Sequence, residues 1–149
     1  MGYREHLEQS LKQHNLDGAV QFVGQLKRQA LARFYALHHV GVFPSIHPEA
    51  FGIVAAEMMA SGLAVVSSGV GGAGELIEDG RTGLRFMPGN SQDLARCLMR
   101  LASDVALLHN LRQAGQHEAR QRFSVQASVS GLEAGFRRNT SAYRQATVF

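Results

Sequence analysis

The apolar run Leu-Ala-Val-Val at residues 63–66 constrains the fold of this 149-residue chain more than any other feature. It lies between two segments that we predict to be helical, residues 51–61 and 75–77. A strand that is apolar at successive positions, rather than at alternate ones, is typical of a parallel sheet covered by helices on both faces. The run therefore predicts a buried strand in an α/β domain.

Other short apolar segments alternate with helical patterns along the chain. The remaining strands are predicted at 19–23 (AVQFV), 40–43 (VGVF) and 83–86 (GLRF), and the remaining helices at 3–14, 28–38, 91–101, 103–123 and 124–138. Asn90 or Ser91 can cap the helix that ends near Leu101. The predicted fold class is thus α/β, a parallel sheet flanked by helices, with one domain over residues 1–138 and a polar tail over 139–149.

Composition and charge limit the class of protein. No apolar run approaches the roughly 18 residues of a membrane span, and the polar, amphipathic start at 1–14 does not look like a signal peptide. The single cysteine, Cys97, excludes a disulfide framework and indicates a reducing, cytoplasmic location. The net charge is +3, but the basic residues are scattered, so we predict no nucleic-acid binding. Peripheral contact with an anionic membrane surface stays open.

The segment from residue 43 to residue 57 carries the chemistry. Glu49 lies between a strand and a helix, Gly52 is near the helix start, and Glu57 follows about one and a half turns later. Ligands of α/β sheets bind at the carboxyl ends of strands, and a helix N-terminus offers N–H groups to a phosphate. Carboxylates repel phosphate but accept hydroxyl groups well. One helix end with two carboxylates therefore describes a site for a sugar nucleotide.

A purely structural interpretation of these residues is also open. Glu49 could cap the helix, and Glu57 could be a solvated helix residue. The glycines between residues 69 and 74 follow the next strand end and could add a second set of backbone donors, or simply form a turn. His47 is more typical of a surface residue than of an acid or base.

The segment resembles the retaining glycosyltransferases with the GT-B fold, of the family 4 or group 1 type. The residues that carry the resemblance are Pro44, Ser45, Glu49, Phe51, Gly52, Glu57, Met59, Ala60, Gly62, Val65, Val66, Gly71, Gly72 and Glu75. The spacing from Glu49 to Glu57 corresponds to the family's E-x7-E motif. Residues 20–24, 78–84 and 122–124 also match the family pattern, so the resemblance covers most of the chain. It implies a Rossmann-like sheet, the C-terminal half of a GT-B fold.

The resemblance also implies roles for individual residues. Glu49 would be the catalytic residue that contacts the donor sugar, and Glu57 would bind the ribose hydroxyls. The donor diphosphate and its surroundings would be contacted by the amides of Phe51, Gly52 and Ile53, by the pocket floor at Gly71 and Gly72, and by Gly24 and Leu26 near the base. Neither a metal nor another cofactor is expected, since the donor is itself the nucleoside diphosphate sugar.

Part of the family pattern has no counterpart in this sequence. The family's domain opens with a strand, a Gly-Arg turn and a nearby lysine that clamp the diphosphate, and an N-terminal domain binds the acceptor. We therefore expect the chain alone to be inactive and to need that N-terminal domain or a partner chain. We also expect 19–23 to pair with 40–43, or another chain, such as a second copy, to cover the exposed strand edges.

Three functional interpretations follow from the sequence. The first is the donor-binding domain of an enzyme that transfers a sugar to an acceptor hydroxyl with retained configuration. The second is a non-enzymatic nucleotide-sugar-binding module, or a subunit that a partner chain completes. The third is a protein–protein interaction domain in which the two glutamates bind no ligand.

Overall fold

The structure, a computed structural model, describes residues 2–146 of the chain, and the side chains of residue 135 and of residues 137–146 lie outside that description. The chain divides into two compact units, Met1–Leu31 and Ala32–Phe149. The predicted boundary between a domain and a tail at residue 139 stays a prediction.

The first unit contains helix α1, Tyr3–Gln13, and an irregular segment. The Gly2 amide donates a hydrogen bond of 3.0 Å to the Glu5 carboxylate, which satisfies one free N–H of the first turn. Residues 20–27 form neither helix nor strand, so the predicted strand at 19–23 is wrong. A strand needs a neighbour that supplies its ladder hydrogen bonds. Here the segment instead places the Phe22 ring 5.2 Å from the Arg4 guanidinium.

The second unit contains a parallel sheet whose strands follow chain order. In the described part of the chain its strands are β1 Val40–Phe43, β2 Ala64–Ser67 and β3 Leu84–Arg85. Val40 pairs with Ala64, and Val66 pairs with Leu84. All four residues of β2 are buried, which confirms the prediction from the apolar run. The predicted α/β class is likewise confirmed.

Helices follow each strand and cover the sheet. Beyond α1, their bounds are α2 Arg28–Ala36, α3 Ile53–Ala60, α4 Ala73–Leu76, α5 Ser91–Ser103, α6 Val105–Arg122 and α7 Val125–Ala146. Helix α7 continues past its predicted end at residue 138, into the predicted tail. Residues 147–149 of that tail lie outside the described residues.

Two hydrophobic clusters hold the helices against the sheet. The first, which we call the α3 cluster, contains Phe43, Ala55, Met59, Val65, Ala73, Leu76, Ile77 and Ala119. The second, which we call the α5 cluster, contains Ala64, Val66, Leu84, Phe86, Leu101 and Leu111. Successive β2 residues belong to opposite clusters, as expected for side chains that alternate across a strand. Helix α6 contributes to both clusters and so fixes α3 relative to the sheet.

Strand β1 lies at an edge of the sheet. Among the described strands it pairs only with β2, so the predicted pairing of 19–23 with 40–43 is wrong. Coverage of this edge by another chain stays a prediction.

Candidate functional site

Two loops meet at the carboxyl ends of β1 and β2. The first, residues 44–52, connects β1 to α3, and the second, residues 68–72, connects β2 to α4. Because the strands are parallel, both loops emerge from the same edge of the sheet, where ligands of α/β proteins bind. The two loops together form the candidate site.

Backbone hydrogen bonds join the two loops. The Gly72 amide donates to the Glu49 carbonyl oxygen at 2.7 Å, and Glu49 forms a parallel bridge with Gly71. Closer to the sheet, the Ser68 amide donates to the Phe43 carbonyl at 3.2 Å, and the Ser68 hydroxyl donates to the Ser45 carbonyl at 2.5 Å. The loop that carries Glu49 is therefore held in place by the glycine-rich loop.

The glycines at 71 and 72 are required by this close approach. A Cβ at Gly71 would lie 2.5 Å from the Glu49 nitrogen, and a Cβ at Gly72 would lie 2.4 Å from the Ala50 carbonyl oxygen. Real Cβ atoms do not come so near to backbone. The two glycines thus support the loop of Glu49 from below, whereas their predicted contact with a donor stays a prediction.

The N-terminus of α3 opens into this region. Gly52 is the N-cap residue, with a left-handed backbone (φ 81°), and among the described residues no side chain caps it. The first amides of an uncapped helix carry a partial positive charge and unpaired N–H groups. A pocket of about 340 Å³ lies beside them, lined by residues 49–54. Phe51 and Ile53 are exposed there, 42% and 63% respectively.

The two glutamates occupy different positions. Glu49 is exposed in the loop and lines the pocket, whereas Glu57 is half-buried on α3 and lies outside the pocket lining. Burial raises the pKa of the Tyr35 phenol, and the negative charge of Glu57 raises it further, which places Glu57 within electrostatic range of α2. The structure therefore brings Glu49, Phe51, Gly52, Ile53, Gly71 and Gly72 together, with Glu57 further along the helix.

Sequence reasoning gave no role to several residues that shape this site. Tyr35 and Ser68 are examples: Tyr35 interacts with Glu57 and the Ser68 hydroxyl bonds to Ser45, each far away in sequence, so no local pattern marks them. Gly24 and Leu26 belong to the first unit, and their predicted role near a base stays a prediction. In the part of the chain that the structure describes, no three His, Cys, Asp or Glu residues are grouped as a metal site requires.

Residues 1–118 match the family model of the glycosyl transferases group 1. Because the match covers more than half of the chain, the chain belongs to this family. It is 34% identical over 148 residues to a D-inositol 3-phosphate glycosyltransferase from a Nocardioides species, a match that covers 95% of this chain and 32% of that protein.

Solved structures agree with this assignment. Anabaena HepE in complex with UDP-glucose superposes with a TM-score of 0.79 at 29% identity, over 94% of this chain and 37% of that one. The C-terminal domain of a glycosyl transferase group 1 family protein from Francisella tularensis superposes with a TM-score of 0.76 at 31% identity, over 83% and 63% of the two chains. The fold is therefore that of the GT-B enzymes, and the likeness is to their C-terminal domain.

The chain spans about a third of the length of the curated relatives that it matches. Within the described residues, none of the helices is both long enough and apolar enough to cross a membrane.

Proposed function

We propose that this chain is the donor-binding domain of a retaining glycosyltransferase, which transfers a sugar from a nucleoside diphosphate sugar to an acceptor hydroxyl. The observation that carries the proposal is the uncapped N-terminus of α3, beside Glu49 and supported by the glycine-rich loop. The family supports the reaction class, and a UDP-glucose complex of a relative makes this compound the first donor to test.

The helix end would hold the diphosphate. The amides of Phe51, Gly52 and Ile53 lie at the start of α3, where N–H groups and the helix dipole attract anions. As the bond to the sugar breaks, negative charge grows on the departing diphosphate, and fixed N–H donors stabilise that charge. This accounts for the uncapped helix end, since a capping side chain would compete with the phosphate.

The carboxylates would hold hydroxyl groups. Glu49 lines the pocket, so we assign it to the transferred sugar near the reacting carbon. Glu57 lies on α3, about one turn after its first residue, Ile53, so we assign it to the ribose. A carboxylate can accept hydrogen bonds from both ribose hydroxyls at once. Gly71 and Gly72 would form the floor, and Gly24 and Leu26 would lie near the base. The proposed reaction uses no metal.

Donor binding and sugar transfer are separate parts of the proposal. Relatives are about three times as long as this chain, so we propose that transfer also needs a second domain, or a partner chain, that binds the acceptor. A non-enzymatic binding module is the alternative. Turnover of the pure chain at the rate of a full-length enzyme would contradict the proposal that transfer needs a second domain or chain. Turnover that appears when a complementary chain is added would support that proposal.

Titration calorimetry tests donor binding with the full chain. UDP-glucose is compared with GDP and ADP sugars for the wild type, Glu49→Gln, Glu57→Gln and the control Glu133→Gln, an exposed glutamate on α7. We expect one base to be preferred, with at least a tenfold loss of affinity in Glu57→Gln and none in the control. The same donor should raise the melting temperature, since a ligand at 100 times its Kd adds about 2.7 kcal/mol to the free energy of unfolding. Equal binding by all four proteins would refute the assigned site.

Other predicted partners are tested separately. Self-association through the β1 edge predicts a dimer in sedimentation velocity, and peripheral membrane contact predicts salt-sensitive binding to anionic vesicles but not to neutral ones. No binding is predicted for duplex or single-stranded nucleic acid.

A further inference from the structure

An aromatic contact joins the candidate site to the junction between α6 and α7. The ring of Phe51, which lines the pocket, meets the ring of Phe123 edge to face, with centroids 5.5 Å apart and planes at 81°. Phe123 follows α6 directly, and Ser124, the next residue, caps α7 through a 3.1 Å hydrogen bond from the Ala127 amide. Phe51 and Phe123 are 72 positions apart in sequence, and their contact is therefore a product of the fold.

Phe123 is itself held firmly. It is half-buried and packs against the α3 cluster, and its amide donates a 3.0 Å hydrogen bond to the Ala119 carbonyl. The Arg122 guanidinium lies 5.1 Å from the centre of the Phe123 ring, and it also pairs with Glu118 at 3.0 Å. Ring, helix end and ion pair together give Phe123 a defined orientation.

Phe51 is held at its backbone by a different element. A Cβ at Gly72 would lie 2.6 Å from the Phe51 Cα, so the glycine-rich loop contacts the backbone of Phe51 directly. Phe51 is 42% exposed, and its ring contacts the ring of Phe123. Phe51 is thus held at two places, its backbone against Gly72 and its ring against Phe123, and loss of Phe123 would leave only the first of these contacts to fix the loop.

We propose that Phe123 is a positioning residue of the donor site, which acts through Phe51 to fix the amides at the start of α3. This inference rests on the proposed function, in which those amides bind the donor diphosphate. Phe51 directly precedes the N-cap Gly52, so a rotation of its backbone would redirect the N–H groups that face the pocket. Anion binding at a helix end depends on that direction.

Donor affinity tests the proposal through a double-mutant cycle. Phe123→Leu and Phe51→Leu are each expected to weaken donor binding by about 2- to 10-fold, as is typical for the loss of an aromatic pair. The double variant should bind no more weakly than the weaker single variant, because both changes remove the same contact. Phe123→Tyr keeps the ring and should bind the donor as the wild type does.

Leu111→Ala is the matched control. Leu111 lies on α6, the helix that Phe123 directly follows, is 1% exposed and belongs to the α5 cluster, so its truncation destabilises the fold without touching Phe51. The control should lower the melting temperature but leave donor affinity unchanged at a temperature where the protein is folded. Equal losses of affinity in Leu111→Ala and Phe123→Leu would overturn the proposal, as would additive effects in the cycle.

Hydrogen exchange of the unliganded chain supplies a test that needs no donor. Phe123→Leu should speed exchange in residues 49–54, while residues of α5 keep their wild-type rates. Unchanged exchange at 49–54 would overturn the proposal even if donor binding were lost. Conversely, a wild type that binds no donor would refute the proposed function, and the exchange result would still decide whether Phe123 fixes the loop.

Discussion

The amide of Gly72 donates a hydrogen bond of 2.7 Å to the carbonyl oxygen of Glu49. This bond joins two turns that follow different strands, and it can form only because neither Gly71 nor Gly72 has a side chain. A Cβ at either position would fall within 2.5 Å of the backbone that carries Glu49 and Ala50. The position of the pocket glutamate is therefore set by a residue 23 positions away.

Alanine substitutions separate this contact from the effect of backbone conformation. Gly72→Ala, at φ −57°, introduces a steric clash alone and should cost about 1–3 kcal/mol of unfolding free energy. Gly71→Ala, at φ 64°, adds the strain of a left-handed residue, about 1–2 kcal/mol, to a similar clash. Urea denaturation measures both.

Gly80→Ala is the control for these two changes. Gly80 also has a positive φ, 75°, but a Cβ there would have nothing within 4 Å. It should cost only the strain of about 1–2 kcal/mol and should leave donor binding intact. If Gly80→Ala were as harmful as Gly71→Ala, the contact between the loops would not be the reason for the glycine.

Sequence patterns predicted the strands of the sheet better than the segment that precedes them in the chain. The bounds of β1, and the burial of Ala64, Val65 and Val66 on β2, agree with the short apolar runs of the sequence. Residues 19–23 (AVQFV) are also mostly apolar but are not a strand, because a strand depends on a neighbour and composition carries no information about one. Helix α7 likewise extends beyond the last residue that its pattern indicated.

For the candidate site, sequence predicted the local geometry but not the contacts across the fold. The order of a strand, a loop with Glu49 and a helix that starts near Gly52 is local, and the structure has that order, with the helix beginning at Ile53 instead of residue 51. The contact between Phe51 and Phe123 is not local, although residues 122–124 were part of the family likeness. The chemical roles of all these residues stay predictions until a donor is bound.

The start of α5 gives a prediction that distinguishes two possible caps. The sequence predicted that either Asn90 or Ser91 caps this helix. The structure places the Asn90 side-chain oxygen 3.0 Å from the Asp93 amide, so Asn90 is the cap. Asn90→Ala should therefore lower the free energy of unfolding by about 1 kcal/mol, whereas Ser91→Ala should change it by a few tenths at most. Denaturant midpoints of the two variants check this, and a larger loss in Ser91→Ala would show that the cap is misassigned.

The same helix start gives a prediction about acid stability. The Met87 amide, 2.7 Å from one carboxylate oxygen of Asp93, holds the pKa of this group below its usual value, and Arg96 at 2.7 Å from the other oxygen lowers it further. The folded state therefore binds a proton less readily than the unfolded chain. This contribution to stability is complete above the unfolded pKa of about 3.9 and is lost as the pH falls through the folded pKa.

Asp93→Asn should show this difference directly. The variant should be less stable than the wild type at neutral pH, and the gap between them should narrow as the pH falls below about 4. Melting temperatures at a series of pH values, at fixed ionic strength, measure the gap. A gap that is constant or widens towards acid would contradict the assigned hydrogen bonds.

The single cysteine reports on the packing of α5 against β3. Cys97 is half-buried, and its thiol lies 3.6 Å from the Arg85 carbonyl oxygen. Burial raises the pKa of the thiol, and the charges of Asp93 and Asp79 raise it further. Since the thiolate is the reactive form, iodoacetamide should alkylate Cys97 of the folded protein more slowly than it alkylates glutathione at pH 8. In concentrated urea, where the chain is unfolded, Cys97 and glutathione should react at similar rates. Cys97→Ser should take up no label, and rapid alkylation of the folded wild type would show that α5 does not pack on β3 as described.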